Sequence, residues 1–218
     1  MNEIYTDKEP SLFSLNDIGL KHKTDKSTIT HCYLDNYEKH IEKWRNEPIT
    51  ILEIGVAGGA SIKMWREYFP NAKVFGIDNN PDCAGEGIFI GDHNNEQFLG
   101  GTMDFYVGKC DLIIDDGSHV GNDMKTLFKR LFRAYVKSGG FYIVEDTHCI
   151  YSEHYNQGSD AFQFFTGLVR DVDVAGRAMT GNQDYAINHG MTEPPVPEFS
   201  RYLKAMHIYT SLWMFERK

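Results

Sequence analysis

The chain alternates between short apolar runs and stretches in which apolar residues recur every three or four positions. Ile49–Ile54 (ITILEI) is a β-branched run that ends at Gly55, the pattern of a buried strand in a parallel sheet. Gly55-Val56-Ala57-Gly58-Gly59 follows, and Ala60–Phe69 then keeps a helical period up to Pro70. Lys73–Ile77 (KVFGI) predicts a second strand ending at Asp78, with Asn79-Asn80-Pro81 as its turn. Gly87–Ile90 predicts a third, ending at Gly91-Asp92, and Asp111–Ile114 a fourth, ending at Asp115-Asp116-Gly117. Residues 120–136 place Met124, Leu127, Phe128, Leu131 and Tyr135 on one helical face, with Ser138-Gly139-Gly140 as the helix stop. Phe141–Val144 predicts a fifth strand, ending at Glu145-Asp146.

The flanks are less regular. Tyr33, Tyr37, Ile41 and Trp44 recur at helical spacing and predict an amphipathic helix over about 32–45, closed by Pro48. Phe162–Val169 predicts a helix, and 176–198, rich in Gly, Asn and Pro, a long loop. His207–Phe215 alternates and predicts late strands at the sheet edge, one of them antiparallel. Strands alternating with helices predict an α/β fold: a doubly wound, mostly parallel, Rossmann-like sheet with helices on both faces. The expected organisation is an N-terminal helical segment, 1–48, before a single compact unit, 49–218.

At 218 residues the chain has the length of one domain. Its 22 basic and 31 acidic residues leave a net charge of −9, which argues against nucleic acid or an anionic membrane as partner. No apolar run approaches the ~18 residues of a membrane span, and the opening MNEIYTDKEP is too polar for a signal peptide. Cys32, Cys83, Cys110 and Cys149 form no C-x-x-C pair, so reduced thiols in a cytoplasm are expected, with Cys110 and Cys149 as core residues.

Ligands of open α/β sheets sit beyond the carboxyl ends of the strands, and here those ends carry chemistry. The Gly-rich turn after the first strand is neither G-x-G-x-x-G nor a P-loop. Asp78, 23 residues after Gly55, can accept both hydroxyls of a ribose, so turn and acid together point to a nucleoside-containing ligand. Asp115-Asp116-Gly117-Ser118-His119 and Glu145-Asp146 put carboxylates at two neighbouring strand ends, a set of hard oxygen donors suited to Mg²⁺ or Mn²⁺. His119, three residues past Asp116, stands where a general base belongs. The nine histidines form no zinc pattern. His22, His40 and His93 read as solvent-facing, His148 as a loop residue or, two positions past Glu145-Asp146, as one lining the site, and Lys125, Lys129, Arg130 and Arg133 as the wet face of a helix. Tyr151 and Tyr155 read equally as acceptor-bounding or as packing residues.

With these pieces the chain resembles the class I S-adenosylmethionine-dependent methyltransferases, and more narrowly the Mg²⁺-dependent O-methyltransferases of macrolide deoxysugars and rhamnosyl groups. The matching segments are T-D-K-S at Thr24–Ser27 with His31 and Tyr33, E-I-G-V-A-G-G-A-S at Glu53–Ser61, G-I-D at Gly76–Asp78, I-I-D-D-G-S-H at Ile113–His119, and V-E-D at Val144–Asp146. The resemblance implies metal ligands at Asp116, Glu145 and Asp146, a base at His119, and a catalytic share for Asp116. It implies S-adenosylmethionine at Glu53, Gly55, Ala57, Gly59, Ser61, Asp78 and Asp115, with Asp92 near the adenine. Thr24, Asp25, His31 and Tyr33 would belong to a lid over cofactor and acceptor. The implied reaction is O-methylation of a small sugar or glycoside, with a homo-oligomer compatible with it. Its rivals are a catechol-type O-methyltransferase, a non-catalytic adenosine-binding module and, disfavoured by the missing fingerprint, an NAD-linked enzyme.

Overall fold

A computed structural model of the chain describes residues 13–179 and 197–218. In chain order its helices and strands are α1 (Leu15–His22), α2 (Leu34–Ile41), β1 (Thr50–Ile54), α3 (Ala60–Tyr68), β2 (Lys73–Asp78), β3 (Ile88–Ile90), α4 (Glu96–Thr102), β4 (Cys110–Asp115), α5 (Gly121–Tyr135), β5 (Val136–Glu145), α6 (Glu153–Asn156), α7 (Ala161–Met179), β6 (Leu203–Tyr209) and β7 (Leu212–Arg217). The seven strands form one sheet in the order β3-β2-β1-β4-β5-β7-β6. β1 to β5 pair in parallel, and β7 runs antiparallel to both β5 and β6. The α/β reading and its late antiparallel strand are therefore correct.

The central strands are apolar on both faces because both are covered. Along β5, Phe141 and Ile143 enter one apolar cluster while Tyr142 and Val144 enter the other. Along β7, Leu212 and Met214 alternate in the same way with Trp213 and Phe215. One cluster is filled by α1, α2 and α3 through Leu15, Tyr37, Ile41, Trp65 and Tyr68. The other is filled by α5 and α7 through Phe128, Leu131, Phe132, Phe165 and Leu168. The N-terminal helices thus pack in the same core as β1 and α3.

Several boundaries differ from expectation. The amphipathic segment is shorter than 32–45, with α2 followed by a 3₁₀ turn at Glu42–Trp44. α1 was not signalled because its eight residues bury only one short stripe. α4 was not signalled either: its Gly-Gly pair hides an Asn95 N-cap that accepts from the Phe98 amide. Ser138-Gly139-Gly140 does not stop a helix. It lies inside β5, beside a register shift between Cys110 and Leu112, and a Cβ on Gly140 would stand 2.6 Å from the Asp111 carbonyl. α7 runs past Val169 to Met179, and 180–196, most of the expected loop, lie outside the described residues.

Candidate active site

The strand order reverses between β1 and β4, and a cleft of about 120 Å³ opens there, lined by Gly55, Ile77, Asp78, Asn79, His93, Gly117 and Ser118. Gly55 sits at φ +86°, and a Cβ on it would stand 1.9 Å from the Asp116 carbonyl oxygen. Only glycine allows the two turns to approach so closely. Asp78 Oδ2 accepts the amides of Val56 at 2.8 Å and Ala57 at 3.0 Å, and its Oδ1 accepts that of Asn80 at 2.8 Å. Burial works to raise this carboxyl, but the three amide hydrogen bonds outweigh it and hold Asp78 below the usual carboxylate range. Gly59, at φ +73°, caps α3.

The other expected cofactor residues lie around this cleft rather than in its lining. Glu53 is fully buried beneath the turn, where its Oε2 accepts from Trp65 Nε1 at 2.9 Å, and Ser61 is buried on α3. Asp115 points into the core on the α5 side and accepts from the Tyr142 hydroxyl at 3.0 Å; burial pushes its carboxyl up to about 7. Asp92 closes its own turn by accepting the Asn94 amide. The neighbouring His93, read as solvent-facing, is buried instead, with no hydrogen-bond partner for Nε2. His22 pairs with Glu67, and His40 lies against His207 and the Tyr209 hydroxyl, so neither is a free surface histidine. The expected helix cations also have partners: Lys125 pairs with Asp160, Arg130 donates to the Asn94 carbonyl, and Lys129 and Arg133 lie over Phe164 and Tyr202.

At the ends of β4 and β5, Asp116, His119 and Asp146 each offer a ligand atom, all within 4.8 Å of one another. His119 Nε2 is 3.7 Å from Asp146 Oδ2, and His119 Nδ1 is buried without a hydrogen-bond partner. His119 (φ +58°) and Asp146 (φ +52°) hold the left-handed backbone that non-glycine residues rarely adopt. Two strained residues meeting in one cluster at the strand ends mark a place where geometry outweighs local comfort. His31 Nδ1 lies 3.6 Å from Asp146 Oδ1, and Tyr33 donates to the same oxygen at 2.6 Å. Thr24 is buried in the turn behind them. His148 is exposed, 4.0 Å from Asp146 and bonded to Ser211.

Glu145 is turned away from this cluster. Its carboxylate accepts from Tyr37 at 2.5 Å and from Lys26 at 2.7 Å. Lys26 is 1% exposed and also contacts Asp116 at 2.5 Å and Glu53 at 3.2 Å. Burial alone would lower a lysine, but Glu145, Asp116 and Glu53 outweigh it and hold Lys26 well above the ordinary value. Lys26, Tyr37 and His93 are the site residues that sequence reasoning missed. The T-D-K-S segment that contains Lys26 was the available signal. Three carboxylates, Glu53, Asp116 and Glu145, surround this one ammonium, and a fourth, Asp146, lies beside Asp116 in the open cluster. That excess of negative charge, open at Asp116 and Asp146, suits a divalent cation.

No family model matches the chain. Among curated proteins it is 31% identical over 220 residues to the 8-demethyl-8-(2-methoxy-alpha-L-rhamnosyl)-tetracenomycin-C 3'-O-methyltransferase of Streptomyces olivaceus, covering 93% of this chain and 53% of that protein. It is 27% identical over 217 residues to the demethylmacrocin O-methyltransferase of Streptomyces fradiae, with the same 93% and 53% coverage. The chain is thus similar in sequence to both of these O-methyltransferases. It spans about half the length of the curated relatives it matches. Among solved structures it superimposes with a TM-score of 0.78 and 24% identity on the MycE methyltransferase from the mycinamycin pathway, in complex with Mg and SAH, covering 94% of this chain and 53% of that one. The fold is therefore the one that MycE has, and the cleft and acid cluster lie at the strand ends of that fold. Among the described residues no helix is long and apolar enough to cross a membrane.

Proposed function

We propose that the chain is a metal-dependent O-methyltransferase that moves the methyl group of S-adenosylmethionine to a hydroxyl of a sugar or glycoside. The observation that carries this is the open Asp116/His119/Asp146 cluster set beside the Gly55/Asp78 cleft. The homologues' names and the Mg and SAH of the MycE complex support the same reading.

In this reading Gly55, Ala57 and Gly59 shape the cofactor turn, and Asp78 offers its remaining lone pairs to ribose hydroxyls. Glu53 and Ser61 brace that turn from beneath, and Asp92 and Asp115 set the adenine side. Asp116 and Asp146 would hold Mg²⁺ or Mn²⁺, while Glu145, expected as a third ligand, faces Lys26 and Tyr37 and would support Asp116 from behind. When bound, the ion lowers the pKa of an acceptor hydroxyl and fixes its place. His119 accepts the hydroxyl proton, and the oxygen attacks the sulfonium methyl in line, releasing the thioether. Residues 13–48 carry the lid residues Lys26, His31 and Tyr33, which reach over to Asp116 and Asp146, and they share one core with the cofactor-binding unit that begins at 49. We also assign the chain to the cytoplasm, in keeping with four free thiols, with small glycosides rather than nucleic acid or membrane as partners.

The test is incubation with methyl-labelled S-adenosylmethionine, Mg²⁺ and a panel of nucleotide sugars, glycosides and catechols. Label on a sugar hydroxyl, lost with chelator and restored by Mg²⁺, is expected. Label on catechols alone would replace the acceptor class. Cofactor binding with no transfer to any acceptor, with or without metal, would favour a binding module.

A further inference from the structure

Lysine is rarely fully buried without partners. Lys26 lies in the turn region between α1 and α2, yet its ammonium sits under the active-site end of the sheet, 2.5 Å from Asp116 Oδ2, 2.7 Å from Glu145 Oε2 and 3.2 Å from Glu53 Oε1. An ammonium has three N–H donors, and here three carboxylates surround it. They come from three neighbouring strand ends: β1, β4 and β5. Glu145 is held from both sides, because Tyr37 donates to its other oxygen at 2.5 Å. Asp116 is the shared member. Lys26 holds one of its oxygens, and Asp116 also belongs to the open cluster with His119 and Asp146.

We propose that Lys26 is a positioning residue for the cation site: a fixed internal cation that pins Asp116 and Glu145 between the strand ends, so that Asp116 can meet a divalent ion together with Asp146. This rests on the metal-dependent reading above. Stability is a weak reason for the arrangement, since buried charge clusters are often no more stable than apolar replacements. Orientation is a better one, because groups that hold metal ligands in place control affinity through them. A surface lysine would do this poorly, since a screened, mobile ammonium fixes nothing. Lys26 also ties the α1–α2 region to the site through its charge, alongside the Tyr33 and Tyr37 hydroxyls.

The experiment measures Mn²⁺ binding to the full chain by electron paramagnetic resonance, for wild type, Lys26→Met and Lys26→Arg. S-adenosylhomocysteine affinity serves as the control for folding and for the neighbouring cleft. Lys26→Met is expected to weaken Mn²⁺ by about 10–100-fold, the range for partners that orient metal ligands. Lys26→Arg should recover most of that loss, and cofactor affinity should stay near wild type in both. Unchanged or tighter Mn²⁺ binding in a Lys26→Met chain that still binds cofactor would overturn the proposal, tighter binding making Lys26 a placeholder for the metal. No Mn²⁺ binding by wild type would sink the metal reading itself, a different failure. Should Lys26→Met not fold, the wild-type ammonium decides. A buried, hydrogen-bonded Lys26 gives a slowly exchanging ¹H–¹⁵N signal, identified by its loss in Lys26→Arg. The signal should persist and shift at saturating Mg²⁺. Its disappearance on Mg²⁺ binding would mean displacement and overturn the proposal.

Discussion

The two halves of the candidate site are built in opposite ways. At the ends of β1 and β2 the backbone supplies the order: Asp78 is satisfied by the amides of Val56, Ala57 and Asn80 before any ligand arrives. At the ends of β4 and β5 the side chains supply the order, and they leave charge over. Asp116 and Asp146 share their region with a single buried ammonium, and His119 keeps a buried nitrogen without a partner. The first half is a preformed cradle that loses little by standing empty. The second is a charge-unbalanced cluster that gains from a cation. One edge of one sheet thus sets a shaped turn beside a charged cluster, because Gly55 lets the two turns touch.

That contrast predicts unequal consequences for similar substitutions. The largest effect belongs to Asp146→Ala. It removes a candidate metal ligand, and turnover at fixed Mg²⁺ should fall by about 10³-fold or more while S-adenosylhomocysteine still binds. Calorimetry beside a turnover assay checks this, and equal loss of cofactor affinity would merge the two halves. His119→Ala should slow single-turnover methyl transfer by ~10²–10⁴-fold at saturating metal and cofactor, the range for a general base. A fall in metal affinity instead would move His119 from base to ligand.

The cradle should respond more mildly and in the other observable. Asp78→Ala should weaken S-adenosylhomocysteine by about 10–150-fold, or ~1.5–3 kcal/mol, and leave Mn²⁺ affinity unchanged. Unchanged cofactor affinity would mean that Asp78 serves only the turn it caps. The smallest effect is expected for Tyr33→Phe. Losing one hydroxyl contact to Asp146 should reduce Mn²⁺ affinity by roughly 2–12-fold, as one ordinary hydrogen bond does, with the cofactor unaffected. A change in cofactor affinity there would show that the N-terminal segment serves the cradle too.

Legibility followed the same line. The glycine turn, Asp78, the D-D-G-S-H segment and the E-D pair are local patterns at strand ends, and the apolar runs before them are short and clean. Gly55 and Asp78 line the cleft and Asp116, His119 and Asp146 come together, whereas Glu145, expected with them, faces Lys26 and Tyr37 instead. Lys26 is different. It is one lysine in a polar stretch, and its partners are 90 residues away at Asp116 and 119 away at Glu145. Tyr37 was visible as a helix-face residue but not as the donor to Glu145. His93 carried no periodicity, and only the packing of the β3 turn against the cleft buries it.

By itself, then, the order of residues determined the alternation of strands and helices, the parallel sheet and the chemical type of each strand end. Those features depend on side-chain period, turn residues and neighbours a few positions apart. Tertiary structure alone decided which carboxylates face the open cluster and which face Lys26. It also set the strained backbones of His119 and Asp146, and brought α1 and α2 into the core. These depend on distances between segments far apart in the chain, where a buried charge is tolerated only if another segment brings its partner within hydrogen-bond reach.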